Sequence, residues 1–89
     1  MKLHYIAYHR ETGEAVELTV DSDSVCRIIS DGKNVETIWK TRKCSAKDDV
    51  AYFMRLHHKH PTSVCIWDIR RVAKGTTPWT SDMYFEFAK

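Results

Sequence analysis

The stretch Ser45–Arg71, SAKDDVAYFMRLHHKHPTSVCIWDIRR, constrains the fold more than any other part of the chain. It reads as a capped helix that runs into a strand. Ser45 can accept from the amide of Asp48, and Asp48 at the third helical position can answer, as in a capping box. Asp48 and Asp49 lie in the first turn, where the helix dipole favours anions, and Arg55 and Lys59 lie toward the end, where it favours cations. At about 100° per residue, Ala46, Val50, Phe53, Met54 and His57 share one face, with Leu56 on its flank. Pro61 stops the helix and pushes His60 out of the α region. The expected helix is 46–58.

After Pro61, SVCIWDIRRV reads as an interior strand: VCIW is apolar on both faces, and Asp68, Arg70 and Arg71 emerge into solvent. Only a few residues join helix and strand, so the two should pack together.

Ahead of the helix the pattern has a period of two. KLHYIAYHR and AVELTV flank ETGE, where Gly13 can supply a positive φ for a hairpin. In the first strand His4, Ile6 and Tyr8 share one side, and Leu3, Tyr5, Ala7 and His9 the other. VCRIIS and NVETIWKTR surround Asp31-Gly32, a second hairpin signal. A two-residue turn there would set Arg27 opposite Glu36 and Ile28 opposite Val35. The alternative for 24–30 is a helix, since Val25, Ile28 and Ile29 also have helical spacing and Gly32 could end it. DMYFEFAK alternates as a final strand. The expected architecture is one α+β domain over 1–89: a mainly antiparallel sheet of five to six strands with one principal helix on one face.

Function is far less constrained. At 89 residues the chain can bury a modest core but has little material for a deep cleft as well. No apolar run approaches the roughly 20 residues of a membrane span. The N-terminus lacks a secretory pattern. Three cysteines without close spacing argue for a reducing, cytoplasmic setting. His57, His58 and His60 with a cysteine offer zinc-ligand types, but no C-x-x-C or HExxH spacing supports a metal site. His57 is expected to pack and donate to a backbone carbonyl. Cys44, beside Lys43 and before a helix start, is the one cysteine whose thiolate could be favoured. Neither carboxylate pair converges on a substrate atom, and three scattered glycines make no phosphate loop. No enzyme activity, no cofactor and no small-molecule substrate are expected.

Charge is uneven. Through Glu36 four Lys/Arg stand against seven Asp/Glu, and from Thr37 onward ten stand against five, for a net +2. Lys40, Arg42 and Lys43 gather before the helix, and Arg70, Arg71 and Lys74 where the following strand ends. Strand pairing could bring some of these together with Trp39 and Trp79. Exposed tryptophans beside arginines have the composition of an interface centre; alternatively, Trp79 folds back over the sheet edge as a lid. The sequence therefore reads as a small cytoplasmic binding protein, a regulator or inhibitor that occupies a protein partner's surface or pairs with its own copy. Phage and mobile-element accessory proteins are often of this type. The runner-up is a nucleic-acid-binding module using those cations for phosphates and the tryptophans for stacking.

Overall fold

The structure, a computed structural model, describes residues 1–40, 43–59 and 67–80. It is an α+β fold with one antiparallel five-stranded sheet. The strands are β1 (Lys2–His9), β2 (Ala15–Ser22), β3 (Cys26–Ser30), β4 (Val35–Trp39) and β5 (Trp67–Val72). The helix α1 spans Ala46–His57, and a 3-10 turn covers Pro78–Thr80. The sheet order is β4-β3-β2-β1-β5.

The helix forms where its caps predict. Ser45 Oγ accepts from the Asp48 amide at 3.1 Å, and the Asp48 carboxylate accepts from the Ser45 amide at 3.0 Å. Such a box contributes about 1 kcal/mol to a helix start. Val50, Phe53 and Met54 are buried against the sheet, while Leu56 on the flank is exposed. At the other end Trp67 Nε1 donates to the His58 carbonyl, so a strand side chain satisfies one orphan acceptor of the helix C-terminus.

Gly13 carries the positive φ that closes the β1–β2 hairpin. Its register pairs Leu3 with Val20, Tyr5 with Leu18 and Ala7 with Val16. Directly paired residues share a face, so these six, with Ile29 and Ile69, form the floor under α1. β1 is buried on both faces: Ile6 and Tyr8, on the face away from α1, are buried too. Tyr8 Oη donates to the Pro78 carbonyl there.

Two sequence expectations need correction. Segment 26–30 is a strand, as preferred, but the second hairpin is not closed by two residues. Arg27 pairs with Ile38 and Ile28 with Thr37, leaving a four-residue connection, Asp31–Asn34. The reason is local: the Asp31 carboxylate accepts from the amides of Lys33 and Asn34, which wraps the chain around it. A slip of two residues keeps every side chain on its face, so the alternation alone could not reveal it. Second, Trp79 is no lid; it is exposed, and Pro78 beside it is the buried residue. The described part of the strand expected after Pro61, β5, closes the sheet order of the described residues and pairs among them with β1 only. The expected final strand and VCI of 64–66 lie outside the described residues.

Candidate functional site

The β3–β4 hairpin carries the most unusual surface of the molecule. Asp31 and Asn34 pair at its turn and Lys40 bonds Val25 at its open end, both through backbone hydrogen bonds. Bonded and non-bonded pairs alternate in an antiparallel ladder, so Glu36 and Ile38 also turn their amides and carbonyls toward β3. Val35, Thr37 and Trp39 therefore aim theirs outward, at the sheet edge. Among the described residues no strand receives them.

The same three residues place their side chains on the face away from α1. Val35 and Trp39 are each 61% exposed, and Ile28, paired with Thr37, is 42% exposed. Edge strands are ordinarily blunted by an outward lysine, a proline or a bulge. β4, with the sequence VETIW, has none of these. Its single charge, Glu36, turns to the helix face, where His57 Nε2 donates to the carboxylate at 2.9 Å. A carboxylate can only accept here, which places that imidazole proton on Nε2.

His58, the next residue, makes a parallel contact with the loop of the hairpin. Its Nε2 donates to Asp31 Oδ2 at 2.5 Å, and its ring meets Trp67 edge to face. Two successive histidines at the helix exit thus hold both ends of one turn of the hairpin: the loop through Asp31 and the strand through Glu36. Sequence reasoning placed these imidazoles at the helix end but gave His57 a backbone carbonyl as partner. The carboxylate is the correction, and it follows from Glu36 sharing the helix-side face with Ile29.

Asp31 is strongly perturbed. Burial opposes its ionisation, but this is outweighed by the amide of Asn34, then by the Asn34 side chain, the Lys33 amide and His58, which together hold its carboxyl far below the usual carboxylate range. A folded-state value below the unfolded one stabilises the protein above about pH 4 and is lost as pH falls further. Urea unfolding of the wild type should therefore weaken more steeply between pH 5 and pH 2 than that of Asp31→Asn. The gap between the two should narrow by about 2 kcal/mol as charge-assisted bonds are lost. Parallel acid limbs would show that the loop carboxylate contributes nothing.

The expected contact residues do not converge. Trp39 and Lys40 lie at the end of β4 and Lys43 on the approach to α1, whereas Arg70, Arg71 and Lys74 lie along and after β5 at the other end of the sheet. Four strand spacings, about 19 Å, separate the two groups. Arg70 and Arg71 also point to opposite faces, opposite Ile6 and Tyr5 respectively. Lys40 bends back, its Nζ donating to the Asp23 carbonyl. Trp79 sits on the turn that packs near Tyr8, at the far end of the sheet from Trp39. Arg42 lies outside the described residues, as do His60 and Cys65.

Other chemistry has little support in the geometry. Among the described residues no three His, Cys, Asp or Glu side chains gather closely enough to hold a metal ion. An open depression on the face away from α1 is lined by His4, Glu17, Thr19, Ser30, Asp31 and Val72. The chain matches no family model, no curated protein and no solved structure. The residues that sequence reasoning missed are Ile28, Val35 and Thr37. Their alternation with Trp39 was visible, but nothing in the sequence said which face α1 would leave bare.

Proposed function

We propose that this chain is a small non-enzymatic binding protein, of the regulator or inhibitor type, that acts by covering part of a protein partner's surface along β4. The observation that carries the reading is the unblunted edge: three outward-facing backbone units with exposed Val35 and Trp39 on them. An added strand would satisfy those units, and the apolar side chains would supply the specificity. Trp39, Lys40 and Lys43 remain contact residues in this reading. The β5 cations Arg70, Arg71 and Lys74 fall outside the contact.

The separation of the cations onto two edges favours a protein partner over a phosphate backbone, which would need them along one groove. A cytoplasmic setting belongs to the same proposal, and the free thiols of Cys26 and Cys44 suit a reducing compartment. No helix among the described residues is long and apolar enough to cross a membrane.

The test replaces Val35 by a photo-crosslinking amino acid in cells, with a second chain carrying it at Arg70 as control. A protein adduct formed from position 35 that survives nuclease treatment is the expected result. Adducts only from position 70, or adducts that vanish with nuclease, would remove β4 as the contact surface.

A further inference from the structure

Resting on that reading, we infer that the strand received by β4 is the β4 of a second copy of this chain, related by a two-fold axis through Thr37. The outward-facing backbone units are Val35, Thr37 and Trp39, spaced evenly about Thr37. A two-fold axis at Thr37 pairs Val35 with the partner's Trp39, Thr37 with the partner's Thr37, and Trp39 with the partner's Val35. Every outward N–H then meets an outward carbonyl, because directly paired residues of this class exchange both bonds. Three such pairs make six main-chain bonds from a five-residue strand.

The side chains agree with the same axis. On the face away from α1, a branched aliphatic meets an aromatic on each side of a threonine pair, which are favourable cross-strand combinations. Ile28 lies beside Thr37 in the next strand, so each copy extends the apolar strip. On the helix-side face Glu36 meets the partner's Ile38, and no like charges face each other. Shifting the register by two residues loses two of the six bonds. In one direction it also sets Glu36 against its own copy, which is repulsive. The strand is thus self-complementary in one register, the requirement for an isologous interface. The product joins the two sheets, five described strands from each copy, into one continuous sheet with a helix from each copy on the same side of its half. Its contact is small, so association falls in the weak class.

Sedimentation equilibrium on the purified chain tests this. The average mass should climb from that of one chain toward that of two between about 1 μM and 1 mM. Over the same range the amides of Val35, Thr37 and Trp39 should exchange more slowly, while those of Glu36 and Ile38, already bonded to β3, should not change. Thr37→Pro removes only an outward donor, a position where an edge strand tolerates proline, and should hold the mass at one chain. If that variant fails to fold, Trp39→Lys serves instead, and should weaken association at least tenfold. A wild type that stays at one chain with unchanged exchange at the three amides overturns the inference, as does a dimer indifferent to both variants. Two failures are distinguishable: a monomer whose position 35 still crosslinks to a different protein leaves β4 as the contact surface with a foreign partner. A monomer with no adduct from position 35 removes both.

Discussion

Arg27→Met is expected to lower stability by about 3 kcal/mol, which for a domain of this size is a fall of roughly 15 °C in melting temperature. Arg27 Nη1 lies 2.5 Å from Asp49 Oδ2 and donates to the Cys44 carbonyl at 3.0 Å. The two side chains keep only 15% and 7% of their exposure. Without the guanidinium, a carboxylate on the buried face of α1 loses its counter-charge, and the carbonyl that leads into the helix loses its donor. Removing one partner of a buried pair costs about 3–5 kcal/mol; the residual exposure of Arg27 sets the lower end here. The double variant Arg27→Met/Asp49→Leu should recover most of the loss, since a packed apolar pair replaces an orphaned charge. Thermal and urea unfolding of the four members of that cycle measure it. A single-variant loss below about 1 kcal/mol would mean that water screens the pair as it does at a surface.

That pair also marks the limit of what the sequence could say. Asp49 was legible as a first-turn anion and nothing more, because both the dipole and a buried partner call for an acid there. Arg27 alternates with Ile28, and either could have faced the helix. Only the sheet order, which sets β3 beside β2 and turns Ile29 inward, selects Arg27. The helix itself was legible to within a residue or so, since Ser45, Asp48 and the apolar spacing are local signals. So was the first hairpin through Gly13. Register in the second hairpin was not, since the Asp31 side chain competes with the dipeptide preference of Asp-Gly for the shape of the loop. Of the expected contact residues, Trp39 lies on β4 and Lys40 directly follows it, beside the open backbone of that strand. The proposed merger with Arg70, Arg71 and Lys74 failed because strand order is a long-range property that charge clustering along a chain does not encode.

Phe53→Ala should be the most damaging single change in the helix, costing about 4 kcal/mol. Phe53 is fully buried between α1 and the sheet, and its ring centroid lies 4.7 Å from that of His57 and 6.3 Å from that of His58. For a chain with roughly 5–10 kcal/mol in hand, that brings the native state near its threshold. The milder Phe53→Leu keeps much of the volume and should cost nearer 1.5 kcal/mol. It is the more informative variant. With the aromatic wall gone, both imidazoles lose the surface that aims them at Glu36 and Asp31, and those contacts are how α1 grips the β3–β4 hairpin. Amide exchange in Phe53→Leu should therefore accelerate first at Ile29, Glu36 and Ile38, while Tyr5 and Leu18, bonded to each other across β1 and β2, keep their protection. The expected loss at the hairpin is severalfold beyond the global change. Uniform acceleration across all five strands would mean that the histidines merely rest on the hairpin, and that the β4 edge is positioned by its ladder with β3 alone.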